Sequence, residues 1–160
     1  MAQAATVHAS AVLAGPRAVL IRGPSGSGKS RLALGLIEAA RTGLLPFARL
    51  VGDDRVHLEV AGGRLLVRPA EPLAGLIEVR GAGLLRLPYE ERAVVGLVVD
   101  LAAADAERLP QDAGRKAEIG GVMVPRLAVA PDQMALPGVL ALLNSSPNSW
   151  IGGHNGTIRD

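Results

Sequence analysis

Eight residues near the start of the chain carry its clearest chemistry: Gly23-Pro24-Ser25-Gly26-Ser27-Gly28-Lys29-Ser30. They read G-x-x-x-x-G-K-S, the phosphate-cradling P-loop. The glycines let backbone N–H groups converge on an anion, and a helix start adds partial positive charge. Lys29 would reach the β- and γ-phosphates of a nucleotide, and the Ser30 hydroxyl would ligate magnesium. The motif defines phosphate binding and leaves the phosphoryl acceptor open.

A phosphotransfer site of this kind needs a carboxylate near the metal and the γ-phosphate. Two strand ends offer one. Asp100 follows Val95 to Val99, the generic Walker-B pattern of an apolar strand ending in Asp, and on that pattern it is the stronger candidate. Asp53-Asp54 follows Leu50-Val51. Two like charges near bound phosphates push one carboxyl upward, which suits a general base towards a hydroxyl. A third constellation is Glu78 and Arg80, at i and i+2 on one face of a strand. Gly81 and Gly83 follow at once, so the expectation is a buried Glu–Arg face opening into a glycine turn.

The elements that must position these groups are legible around them. Ala18 to Ile21 is a buried strand, and Leu32, Ala33, Leu36, Ile37 and Ala40 recur at helical spacing up to about Arg41. Thr6 to Leu13 reads as a strand, as does Arg49 to Val51. Val56 to Val60 and Arg64 to Val67 flank Gly62-Gly63, a hairpin signal. Further strands are expected at Leu76 to Arg80, Val94 to Val99 and Val122 to Val129, the last interrupted by Pro125 and so at an edge or bulge. Ala102 to Gln111 is polar and irregular or helical, and Leu136 to Leu143 is a short helix. The surplus of strands over helices is unlike the regular alternation of a nucleotide kinase. Residues 1–143 are expected to form one catalytic domain and 144–160 a flexible tail.

Bulk properties narrow the classes. At 160 residues the chain is one domain by length. Aromatics are 2% and the net charge is +2, with no basic run longer than two residues, so nucleic acid is not implied. Only Lys29 and Lys116 are lysines, so the positive charge is chiefly arginine. There is no cysteine, which excludes disulfides and thiolate metal sites and fits a reducing cytoplasm. No apolar run reaches the ~18 residues of a membrane span.

Taken together, His8, the P-loop, Asp53-Asp54-Arg55-Val56, Glu78-Val79-Arg80-Gly81-Ala82-Gly83 and Arg108-Leu109 resemble the catalytic domain of bacterial HPr kinase/phosphorylases. The resemblance spans roughly residues 6 to 130 and is to the short form without a separate N-terminal domain. It implies an α/β fold: a strand-rich P-loop kinase domain similar to the nucleotide-binding core of phosphoenolpyruvate carboxykinase. It implies ATP and Mg²⁺ as cofactors, an HPr-type phosphocarrier protein as partner, and a homo-oligomer, hexameric in relatives.

Residue roles come with the resemblance. Gly23 to Ser30 would hold the phosphates. Ser30 and Glu78 would hold magnesium, with Asp53 assisting. Asp54 would be the general base towards a serine hydroxyl, oriented by Asp53 and His8. Arg80 and Arg108 would stabilise charge on the moving phosphoryl group. In reverse, inorganic phosphate would attack the phosphoserine and give pyrophosphate. Asp100 then becomes a strand-end residue binding local backbone amides. His57 and His154 are read as structural or solvent-facing. The segment Thr42 to Ala48 is longer than the family's usual turn. Two other readings stay open: a small-molecule P-loop kinase or ATPase using Asp100 as Walker-B acid, and a non-catalytic nucleotide sensor.

Overall fold

The computed structural model describes residues 6–145. Strands β1 (Thr6–Val7), β2 (Ala9–Ala14) and β3 (Arg17–Arg22) lead into the P-loop and helix α1 (Lys29–Arg41). Then come β4 (Ala48–Gly52), β5 (Val56–Ala61), β6 (Arg64–Pro69), β7 (Leu76–Val79), β8 (Gly83–Arg86) and β9 (Ala93–Asp100). A 3-10 turn at Asp112–Arg115, β10 (Lys116–Ile119), β11 (Val122–Ala128) and helix α2 (Leu136–Asn144) complete the chain.

One nine-stranded sheet runs β1-β5-β6-β9-β3-β2-β4, with β11 pairing β9 and β10 pairing β11. The P-loop strand β3 lies parallel to β9, with Arg22 opposite Asp100. Arg126 to Ala128 of β11 pair in parallel with Val98 to Asp100 of β9. Pro125 sits within the β10–β11 pairing, opposite Lys116. Strands β7 and β8 form a hairpin of their own.

Why β3 is a near-continuous apolar run follows from burial on both faces. Val19 and Ile21 pack with Leu32, Ala33, Leu36 and Ile37 of α1 in one core cluster. Ala18 and Leu20 point the other way, into a second cluster with Val51, Val56, Val67 and Val98. Strand β9 also feeds both clusters, Leu97 and Val99 towards the helix and Val95 and Val98 away from it, its alternation shifted by a register irregularity opposite Ala18 and Val19.

Two strand breaks coincide and create the corner on which the site is built. The chain leaves its pairing with β5 after Val7 and pairs with β3 from Ala9 and with β4 from Ala11, so the single strand expected over Thr6 to Leu13 is split at His8. The opposing chain breaks between β4 and β5, at Asp53-Asp54-Arg55. An Ala9 N–H to Asp54 C=O bond of 3.1 Å joins the two breaks.

The long connection at Thr42 to Ala48 is folded into the body. Thr42 caps α1 by donating Oγ1 to Glu38 O, Leu45 is 4% exposed in the helix-side core, and Asn144 Nδ2 of α2 donates to Leu44 O at 3.0 Å. The expected tail from 144 begins inside α2, and its remainder past Ser145 lies outside the described residues. His154 lies there too. Among the described residues no helix is long and apolar enough to cross a membrane.

Candidate active site at the P-loop

The loop is shaped by its glycines. Gly28 is the residue before α1 and sits at φ 100°, a left-handed conformation that L side chains rarely adopt. It supplies no side-chain cap, and the first turn of α1 holds no acidic residue. The first N–H groups of the helix are thus left for an external acceptor. Gly23 is required for another reason: a Cβ there would meet Ser27 Oγ at 2.5 Å and Leu101 O at 3.1 Å. Lys29 is 6% exposed, and its Nζ donates to the carbonyls of Gly23 (2.8 Å) and Pro24 (3.1 Å). Ser27 Oγ is buried and has no hydrogen-bond partner among the described residues. An orphaned hydroxyl, an uncapped helix start and a buried ammonium together fit a phosphate group.

Asp53 is the hub of the site. It is 5% exposed. Its carboxylate accepts from Ser30 Oγ at 2.7 and 2.9 Å, from Ser10 Oγ at 2.7 Å and from the Glu78 N–H at 3.1 Å. The P-loop, β2, β4 and β7 therefore meet on one side chain. Asp54, beside it, is exposed, and its Oδ1 accepts from His8 Nε2 at 2.6 Å. The backbone of Asp54 has φ 67°, and Arg55 N–H closes back onto Asp53 O at 2.8 Å, a three-residue turn. A non-glycine residue at such a φ costs of order 1 kcal/mol, and turns of this hand are rare.

A cleft of about 460 Å³ opens over these groups, lined by His8, Lys29, Ser30, Asp54, Glu78 and Arg80 among others. Of the expected residues, the structure thus gathers the P-loop, both aspartates, His8, Glu78 and Arg80. The expected buried Glu–Arg face is corrected: β7 ends at Val79, Glu78 and Arg80 are both exposed, and Arg80 belongs to the hairpin turn before β8. Both nonetheless line the cleft. Arg108 is not among the cleft-lining residues; it is exposed in the irregular segment between β9 and the 3-10 turn.

Asp100 differs from both expectations for it. Its carboxylate oxygens are held by two arginines, Arg22 (2.7 and 2.8 Å) and Arg126 Nε, rather than by the P-loop or backbone amides. Arg126 reaches on to Asp105 at 2.8 and 2.9 Å. Burial pushes the Asp100 carboxyl up, but the hydrogen bonds and charges of the two arginines outweigh it and hold it below its ordinary 3.8. The hydrogen bonds from Arg126 likewise hold Asp105 down. The Walker-B pattern places Asp100 at the right strand end, but the Ser30 hydroxyl is taken by Asp53.

Sequence reasoning missed Ser10, Arg22 and Arg126. For Ser10 a signal exists: it is the lone polar residue of an otherwise apolar strand. For the arginines none does, since their partner lies 78 and 26 residues away.

For a magnesium ion the available donors are hard oxygens, Ser30 Oγ and the Glu78 carboxylate, with Asp53 behind Ser30. Among the described residues no group of three or more His, Cys, Asp or Glu could hold a metal alone. That donor set still suits magnesium, which keeps waters and takes phosphate oxygens as ligands.

Fold and loop together define a P-loop kinase fold. A model described as "HPr Serine kinase C-terminal domain" matches residues 1–133, and the chain belongs to that family. HPr kinase/phosphorylases of Streptococcus pneumoniae strains Hungary19A-6 and ATCC BAA-255 / R6 are each 34% identical to it over 122 residues, 69% of this chain. The chain spans just over a third, 37%, of the length of those relatives. A solved structure described as the Hpr(Ser) kinase/phosphatase from Coxiella burnetii superposes with a TM-score of 0.68 at 26% identity, covering 87% of this chain and 93% of that one.

Proposed function

We propose that the chain is a serine protein kinase domain that moves the γ-phosphoryl group of ATP to a serine of an HPr-type phosphocarrier protein. One observation carries the reading: an exposed Asp54, hydrogen-bonded by His8, stands in the same cleft as the P-loop, while its neighbour Asp53 is tied to Ser30. Family membership supplies the acceptor class.

The chain's residues divide the work. The loop amides and Lys29 neutralise the phosphates. Ser30 and Glu78 would hold magnesium, and Asp53 fixes the Ser30 hydroxyl. When bound, magnesium would offset charge on the β- and γ-oxygens. Asp54 accepts the proton of the acceptor hydroxyl as that oxygen bonds to the γ-phosphorus. The bond to the bridging oxygen breaks and ADP leaves. His8 Nε2–H holds the Asp54 carboxylate in place throughout. Arg80, at the cleft rim, offsets charge on the oxygens of the moving group. In the other direction, an oxygen of inorganic phosphate would bond to the phosphoserine phosphorus as the bond to the serine oxygen breaks, Asp54 relaying the phosphate's proton to that oxygen, and pyrophosphate would leave. Asp100, with its oxygens held by arginines, does not support a Walker-B role.

The test is transfer from radiolabelled ATP with Mg²⁺ to a purified HPr-type protein of the same organism. Label on an acceptor serine, absent with Lys29→Ala and Asp54→Asn, is the expected result. ATP binding without label on any HPr-type acceptor would overturn it in favour of a nucleotide sensor or small-molecule kinase.

A further inference from the structure

Three consecutive residues across the sheet corner each hold a different group of Asp54. His8 Nε2 donates to its carboxylate at 2.6 Å, the Ala9 N–H donates to its carbonyl at 3.1 Å, and its own N–H donates to Ser10 Oγ at 3.2 Å. The residue so held is the centre of a three-residue turn with φ 67°. A conformation of that kind persists only where its surroundings over-determine it, and such residues cluster at functional sites.

We infer that Ser10 is the positioning residue of the site: its hydroxyl locks the Asp54 main chain in the turn that aims the carboxylate at the acceptor. The role rests on the reading of Asp54 as the base. Ser10 is fully buried, at 0% exposure, and substrate does not reach it. A hydroxyl can donate once and accept at the same time. Ser10 does both, giving its proton to Asp53 Oδ1 at 2.7 Å while accepting from Asp54 N. It therefore couples the acid that orients Ser30 to the acid that meets the acceptor. Asp53 has two other donors, Ser30 Oγ and the Glu78 N–H, so it stays anchored without Ser10. Among the described residues the Asp54 N–H has no acceptor but Ser10 Oγ. Removal of the hydroxyl thus falls mainly on Asp54, freeing the turn to relax and swing the carboxylate aside. Nucleotide binding, made by residues 23–30 and Glu78, is untouched.

The measurement compares wild type, Ser10→Ala and Ser10→Thr for ATP affinity, for kcat and KM of transfer to an HPr-type protein, and for hydrogen exchange of the Asp54 amide. Ser10→Ala is expected to keep ATP affinity within about twofold while kcat falls tenfold to 100-fold, the cost of a misplacement near 1 Å. The Asp54 amide should exchange faster while the Ala9 amide stays protected. Ser10→Thr, which keeps the hydroxyl, should restore kcat and protection. Loss of ATP binding in Ser10→Ala would place Ser10 in general folding and overturn the inference. Unchanged kcat in Ser10→Ala overturns the positioning role while leaving Asp54 as base. Absence of transfer by wild type overturns the functional reading first, and the positioning role with it.

Discussion

Ser30 and Asp53, twenty-three residues apart, are joined by a hydroxyl that sits 2.7 Å from one carboxylate oxygen and 2.9 Å from the other. One hydrogen lies between two acceptors, so the serine oxygen donates to Asp53 and retains its own accepting capacity at the cleft wall. The carboxylate bonded to the P-loop serine thus comes from the end of β4, and under the proposed function Asp53 would act through Ser30.

Replacing Asp53 by alanine should therefore weaken magnesium-dependent nucleotide binding about 10- to 100-fold, the usual cost of losing a partner that orients a metal ligand. Nucleotide binding without metal should change far less. Calorimetric titration of ATP with and without Mg²⁺ separates the two. Equal losses in both would assign Asp53 to loop folding alone.

Arg80 and Arg108 should separate in their effects. Arg80 lines the cleft and Arg108 does not. Arg80→Ala is expected to lower kcat for phosphoryl transfer about 10²- to 10³-fold, the range for removing a group that stabilises transition-state charge. Arg108→Ala should cost less than tenfold. Steady-state kinetics on the two variants with one acceptor decide it.

Much of this site was legible in the chain because its parts are local. The P-loop is a contiguous motif, and the apolar run before it and the helical spacing after it each reflect short-range geometry. The pairing of Gly62-Gly63 with flanking strands is local as well. What could not be read was long-range. Glu78 and Arg80 share one strand face at i and i+2 ahead of a glycine turn, which suggests a buried pair, yet β7 belongs to a two-stranded hairpin and both side chains are exposed. Strand β8, Gly83–Arg86, is exposed throughout and carries no burial pattern to detect. Asp100 fits Walker-B, and only the tertiary approach of Arg126 from β11 shows its charge already committed.

The connection at 42–48 should behave as core rather than as loop. Leu45 is 4% exposed among Leu36, Ile37 and Val139. Leu45→Ala is expected to destabilise the fold by about 2–4 kcal/mol through lost burial and a residual cavity. Leu44→Ala, at a side chain 58% exposed, should stay within about 0.5 kcal/mol. Urea unfolding of the two variants measures the contrast.

The Arg22–Asp100–Arg126 cluster gives the fold an acid-sensitive joint between the P-loop strand and β11. The folded Asp100 carboxyl lies below its ordinary 3.8, because the two arginines outweigh the upward push of burial. A group depressed on folding contributes stability that is fully present above its unfolded value and is lost as pH falls through its folded one. Asp105, depressed by Arg126, acts in the same sense but is mostly exposed and adds little. Wild type should therefore lose stability progressively as pH falls below about 3.8. Asp100→Asn should be less stable than wild type at neutral pH by about 2 kcal/mol, since two partly buried guanidinium groups lose their shared anion. That gap should narrow as wild-type Asp100 takes up its proton. Thermal unfolding of both proteins from neutral pH down through the acid range reads it directly, and a gap that stays constant with pH would show that the cluster acts by packing rather than by charge. ATP affinity at neutral pH should be retained in Asp100→Asn, because its side chain does not line the cleft. Loss of that affinity would return Asp100 to the role of metal-side acid that its place at the end of β9 first suggested.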